Sequence, residues 1–301
     1  MKLLISGANG LLGKRLTRHF ETSGATVLPI TRVSSDLPTE TSVAWNPTSG
    51  WLDIDQMEGA DAIIHLAGEN VAEGRWSVAK KNRILSSRVA GTQQIVSAIA
   101  KLETPPKILF NASATGFYGH SDRELRDESH AAGKGFLASV CVAWEKEATK
   151  VAAYGVRPIL LRFGVILDSD EGALKKMLLP FRLGLGGRLG TGEQFFPWIA
   201  APEIPQILET LILQTPDQTG PINMVAPQQV TNMEFTQALA SHLHRPAVIP
   251  VPEFAIKMLF GEMGTEMLLG GCRLVPKVLE SIQYPFLHPT LESTLKTLLP
   301  R

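Results

Sequence analysis

A chain of 301 residues with 44% hydrophobic and 19% charged side chains holds enough apolar content for a core and too little charge for disorder. Its 29 basic and 29 acidic residues cancel, which excludes a global field for nucleic acid and leaves no acidic tail. No apolar run approaches the roughly 18 residues that a membrane-spanning helix needs.

Leu3-Leu4-Ile5 reads as a buried parallel strand that begins directly after Met1-Lys2. That start leaves no room for a signal or transit peptide, so the expectation is a cytoplasmic protein. Glycines follow, then Leu11, Leu12, Leu16 and Phe20 at helical spacing, with Gly24 ending the helix. A second strand spans 27–30, where Pro29 suggests an edge-like position. A weak third covers 43–45, a strong fourth 61–66. A helix runs from about 77 to 101, a fifth strand covers 107–110, another helix about 135–154, and a sixth strand 158–161. This alternation predicts a doubly wound parallel α/β sheet with right-handed crossovers. Beyond Gly164 the pattern changes. Asp168, Asp170 and Glu171 open a helix as acids suited to its dipole, and five glycines make 183–194 a turning loop. Residues 221–225 give a late strand of the sheet, about seven strands in all. Thr231 and Glu234 form a capping box for a helix through His242, and prolines cut the remainder into short helical pieces. The expected organisation is a domain over 1–226, whose loop 169–197 borders a substrate cleft, and a smaller, mostly helical C-terminal lobe over 227–301. Cys141 and Cys272 lie in apolar stretches and read as two buried thiols.

The first strand runs into Gly7-Ala8-Asn9-Gly10-Leu11-Leu12-Gly13. Gly7 permits a tight turn, Gly10 lets a diphosphate approach the backbone, and Gly13 lets the helix pack close to the strand. Asn9, Leu11 and Leu12 complete the turn, and the helix start offers free N–H groups to phosphates. This is a Rossmann dinucleotide site. After the second strand, Thr31-Arg32-Val33-Ser34-Ser35 precedes the first acid, Asp36. Arg32 suits a 2′-phosphate, with Ser34 and Ser35 adding hydrogen bonds, which favours NADP(H) over NAD.

The G-x-x-G-x-x-G spacing resembles short-chain dehydrogenase/reductases, in particular their extended, epimerase-like branch. In that family a turn after the fourth strand lies along the adenosine ribose, and Leu66, Ala67 and Gly68 match it; His65 reads as a packed strand residue. The runs His65–Asn70, Gly74-Arg75-Trp76, Ser87-Arg88-Val89, Ala112–Gly119, Arg162–Leu167 and Pro180–Gly187 are similar to an atypical epimerase-family subgroup, the YfcH/SDR39U1-like proteins, and the likeness covers essentially the whole chain. From about residue 248 it resembles that subgroup's extra domain.

Ordinary members of the superfamily use Tyr-x-x-x-Lys with an upstream hydroxyl. Aligning Glu145 with the acid that follows that pair puts Leu137 and Cys141 where tyrosine and lysine belong. The usual proton relay is absent. Ser113 aligns with the upstream hydroxyl, with Thr115 as the alternative, and Tyr118 on the same loop is a candidate acid; each also reads as a structural group. Glu69 and Arg88 are candidates for the nicotinamide end, Arg88 equally for a buried ion pair, and Arg162 for a strand end beside the cofactor pocket. Trp76 and Trp198 read as packing residues. The histidines and cysteines show no metal-ligand spacing, so no metal is expected. Two readings stay open: an NADP(H)-dependent oxidoreductase or epimerase acting on an unknown small molecule in the cleft between the lobes, or a non-catalytic NADP(H)-binding sensor with a protein partner. Neither nucleic acid nor membrane is expected as a partner.

Overall fold

The computed structural model describes residues 1–34, 36, 37, 41–120 and 124–300. Ser35, assigned above to the cofactor, lies outside the described residues. In chain order the first half holds β1 (Lys2–Ser6), α1 (Leu11–Thr22), β2 (Thr26–Arg32), β3 (Val43–Asn46), β4 (Trp51–Leu52), β5 (Ala62–His65), α2 (Val78–Ile99), β6 (Ile108–Ala114), β7 (Leu125–Arg126) and α3 (Phe136–Ala148). There follow β8 (Arg157–Phe163), β9 (Val165–Leu167), α4 (Gly172–Arg182), β10 (Trp198–Ala200), α5 (Glu203–Leu213) and β11 (Gly220–Met224). The chain ends with α6 (Asn232–His242), α7 (Glu253–Phe260), α8 (Glu262–Met267), β12 (Arg273–Leu274), α9 (Lys277–Ser281) and α10 (Leu291–Leu298).

Among the described residues, one sheet carries eight strands in the order β11-β8-β6-β5-β1-β2-β3-β4. Seven are parallel, as expected, and β4 pairs antiparallel on β3 as an edge that the sequence did not announce. Pro29 does not lie on an edge strand, since β2 runs between β1 and β3. Its position is nevertheless edge-like, because β3 begins to pair only at Ile30, so Pro29 has a strand neighbour on the β1 side alone.

Apolar clusters fill both faces of the sheet. On one, Leu16 and Phe20 of α1 and Ile204, Ile207, Leu208 and Leu211 of α5 pack on Leu3, Ile5 and Ile64. On the other, Ile95, Val96 and Ile99 of α2 pack on Leu4, Ile63 and Leu109. The second lobe has its own cluster, which joins Leu174, Leu178 and Phe181 of α4 to Phe235 and Leu239 of α6 and Leu291 and Leu295 of α10. It also takes Leu167 and Trp198 from the small parallel β9–β10 sheet. A cut at residue 226 therefore divides the chain but not the packing. Leu279 and Tyr284 return to the first cluster, while Leu167, Leu174, Leu178, Phe181 and Trp198 serve the second lobe. The expected capping box at Thr231 and Glu234 is present. No helix among the described residues is long and apolar enough to cross a membrane.

The chain winds outward from β1 through β2 and β3 and then crosses back to place β5 on the other side of β1. Such a reversal opens a crevice at the carboxyl ends of the two central strands. Here it falls between Ser6 and His65, which are register neighbours.

Candidate nucleotide site and the buried polar network beside it

Gly7 turns the chain at φ +73°, a conformation that L side chains avoid. A Cβ on Gly13 would lie 2.3 Å from the Gly7 carbonyl oxygen and 2.5 Å from Ala8 Cα, so α1 packs directly against the turn. Gly10 differs. Its backbone is ordinary extended chain (φ −81°, ψ 173°), and an added Cβ would meet only the Gly7 oxygen, at 3.4 Å. No side chain caps α1, and its first turn carries no acid. The first N–H groups of the helix thus remain for an anion over the exposed Asn9–Gly10 face. Leu12 packs into the core below, and Leu11 approaches Gly172 at the start of α4.

Ser6 organises the facing turn. Its Oγ accepts the N–H groups of Leu66 (3.1 Å) and Ala67 (3.2 Å), so its own hydrogen goes to His65 Nδ1 at 2.6 Å. This fixes His65 as a neutral ring protonated on Nε2. The ring is fully buried, as expected of a packed residue, and burial pulls its pKa down to about 4. Above pH 6.5 both folded and unfolded histidine are neutral. Below it the unfolded chain binds a proton that the folded one refuses, so stability falls from pH 6.5 down to about 4, by roughly 3 kcal/mol in total. Urea unfolding at pH 7 and pH 5 should show about 2 kcal/mol of this loss in the parent and a flatter dependence in His65→Leu; equal slopes would sink the assignment.

Gly68 lies open at the end of that turn, with the Arg88 guanidinium behind it at 3.2 Å from an ideal Cβ. Arg88 donates to the carbonyls of Glu69 (3.0 Å) and Ile84 (3.1 Å) and lies over the Trp144 ring. It braces the turn through the Glu69 backbone and does not pair with the Glu69 carboxylate. That carboxylate takes Lys80 at 2.8 Å, the contact that does most to hold it below the usual carboxylate range, and Arg83 at 3.4 Å. Arg32 is exposed at the end of β2. The first acid after it, Asp36, is drawn away to Asn46 Nδ2 (2.7 Å) and Ser49 Oγ (2.8 Å) of the β3–β4 turn.

Three assigned residues are corrected by their surroundings. Arg162 is buried and engaged inside the protein: Nε and Nη2 grip Glu145 at 2.9 and 2.8 Å, Nη1 donates to Tyr118 Oη at 2.8 Å, and the head lies 3.5 Å from the Phe117 ring centre. At 4% exposure and turned to these partners, it belongs to the interior and not to a surface that a cofactor would cover. Tyr118 is 0% exposed, and its hydroxyl donates to Asn223 at 2.7 Å. Burial pushes its pKa up to about 12, against the opposing pull of Arg162, so the hydroxyl stays protonated, and its hydrogen is held inside the protein by Asn223. Ser113, also buried, spends its hydrogen on Glu145 at 2.6 Å. These side chains form one internal network, completed by Asn223, whose N–H donates to Glu128. Sequence reasoning missed Glu145 as a partner, and Asn223 and Glu128 altogether; Asn223 leaves the signal of a polar residue inside an apolar run, whereas Glu128 stands in the polar stretch Arg126-Asp127-Glu128-Ser129 and leaves none. Leu137 packs on Gly116, and Cys141 lies under Ala114 with its thiol pushed up to about 11 by burial. The positions of the usual acid/base pair are therefore apolar wall. Both cysteines are buried and free, and Trp76 and Trp198 pack.

The NAD dependent epimerase/dehydratase family matches residues 3–219, and a domain of unknown function, DUF1731, matches 251–298. An epimerase family protein of Mycobacterium bovis is 38% identical over 291 residues, 97% of this chain and 95% of the relative. The Homo sapiens epimerase family protein SDR39U1 is 33% identical over 299 residues, 98% of this chain and 99% of the relative. The crystal structure of human SDR39U1 with NADPH superposes at a TM-score of 0.88, with 32% identity and 99% of both chains covered. A nucleoside-diphosphate sugar epimerase from Corynebacterium glutamicum superposes at 0.80 with 29% identity, over 99% of this chain and 58% of that one.

Proposed function

The chain belongs to the NAD dependent epimerase/dehydratase family, as an SDR39U1-like member with the added C-terminal domain, and from that premise we propose that it binds NADP(H) over the Gly7–Gly13 turn and acts as an oxidoreductase or epimerase on a small molecule held between the lobes. The observation that carries this reading is Gly10: an exposed glycine with no conformational or packing need, set over an uncapped helix start. The backbone N–H groups of Leu11, Leu12 and Gly13 would bind the diphosphate. The Leu66–Gly68 turn, held by Ser6 and Arg88, would line the adenosine ribose. The bound dinucleotide supplies hydride donor and acceptor capacity; the protein binds, orients and excludes water. The human relative crystallised with NADPH supports the choice of cofactor.

Preference for the 2′-phosphate rests on Arg32, left as the end-of-strand charge once Asp36 turns to Asn46. Fluorescence titration should give tighter binding of NADPH than NADH. Arg32→Ala should weaken NADPH by about tenfold to a hundredfold and leave NADH little changed, as for loss of a charge-assisted pair. Equal loss for both nucleotides would remove Arg32 from this role, and no affinity for either would remove the whole reading.

A further inference from the structure

The C-terminal domain meets the Rossmann domain through an unexpected contact. Glu266, on α8, accepts the N–H of Phe136 at Oε1 (2.8 Å) and of Leu137 at Oε2 (2.9 Å), which are the first two N–H groups of α3. Gly135 makes room for it: φ is +114°, and a Cβ there would stand 3.0 Å from Glu266 Oε1. One helical turn earlier on α8, Glu262 pairs with Lys81 of α2 at 2.6 Å, and Lys81 lies over the Phe136 ring. Phe136 in turn stacks edge-on with Trp76, and Arg75 approaches Gly261 between α7 and α8. Thus α8 bridges from the 75–81 segment, which follows the Leu66–Glu69 turn, to the start of α3.

The apolar hold on this arm is thin. In α7 only Ile256 is buried, and in α8 only Met263 and Gly264. Phe254, Met258 and Leu259 face outward. Gly261 joins the two helices at φ +60°, and Gly270 and Gly271 follow α8. Segments with few buried contacts open at low free-energy cost, so polar contacts weigh heavily in where they rest.

We infer that residues 253–267 form a lid over the cleft, and that Glu266 on the start of α3, with Glu262 on Lys81, is the latch that holds it closed. Opening the lid breaks these contacts together and uncovers the start of α3 at Phe136 and Leu137. Glu266 is a positioning residue here: it acts on the placement of the arm.

Hydrogen exchange of the ligand-free protein tests the latch without reference to any cofactor. Glu266→Gln and Lys81→Glu should each speed exchange across 253–267 by about tenfold, the scale of losing one charge-assisted contact. The exchanged pair Lys81→Glu with Glu262→Lys should return it to within about threefold of the parent. Peptides from β1 and β6 should not change, which reports an intact fold. Faster exchange confined to 136–139 would make Glu266 an ordinary helix cap and overturn the proposal. Failure of the charge swap to restore the arm would overturn it as well. Should Glu266→Gln not fold, the Lys81 series alone decides. A second arm rests on the cofactor reading above: NADPH should dissociate faster from the latch variants by a similar factor. Absence of NADPH binding would count against that reading only, because the exchange result stands by itself.

Discussion

Gly10→Ala should leave the ligand-free protein as stable as its parent and weaken NADPH binding by about a hundredfold. The two halves of this result have separate causes. Gly10 sits in ordinary extended backbone, and its new methyl would touch one oxygen at van der Waals distance. Alanine restricts the unfolded chain, a gain of about 0.4–1 kcal/mol, and is a poorer helix cap than glycine by a similar amount. The net change in thermal midpoint should be within about 2 °C. A diphosphate drawn onto the α1 start would meet the methyl directly, and overpacking of a tight contact costs about 1–3 kcal/mol, up to a hundredfold in affinity. Gly13→Ala is the contrast. There the methyl would run into the Gly7 oxygen and Ala8 Cα, which are backbone atoms that cannot step aside cheaply. It should destabilise the free protein by a few kcal/mol and lose binding as a consequence. Differential scanning fluorimetry beside nucleotide titration separates the cases. If Gly10→Ala bound NADPH normally, the diphosphate would not lie over this turn.

The nucleotide half of the molecule was legible because its signals are local. Buried parallel strands read as short apolar runs, and the turn Gly7–Gly13 carries its geometry in consecutive residues. What was lost is what forms between distant segments. β7 and β12 are two residues each and pair across 148 positions (Leu125 with Arg273), so neither has a pattern of its own. The same holds for β9 with β10, three residues apiece. Site residues divide along the same line. Ser113, Tyr118 and Arg162 were recognised as chemically unusual in their strand or loop, but their use depends on Glu145 and Asn223, up to 105 residues away. Those partners convert a plausible acid/base set into interior structure. Glu266 lies 130 residues beyond the helix it caps, in a stretch where proline breaks left only short helical pieces to read.

The energetic weight of that interior network gives the second large prediction. Arg162 and Glu145 are both nearly fully buried, and their pairing is bidentate. Two charges removed from water in this way contribute little net stability, yet each depends on the other. Arg162→Met would leave a buried carboxylate with Ser113 as its remaining side-chain donor, and would strip Tyr118 Oη of a partner. The expected cost is about 3–5 kcal/mol, read as a lower urea midpoint. Adding Glu145→Leu to Arg162→Met removes the stranded charge and should recover at least half of it, a coupling that independent sites would not show. Ser113→Ala should cost about 1–2 kcal/mol by the same measurement, as loss of one hydrogen bond to a charged acceptor. A structural serine lowers the urea midpoint when removed. A substrate-facing one would leave it unchanged and alter ligand binding instead. An Arg162→Met midpoint equal to the parent's would mean that water already reaches the pair, and the region would have to be redrawn as part of the cleft.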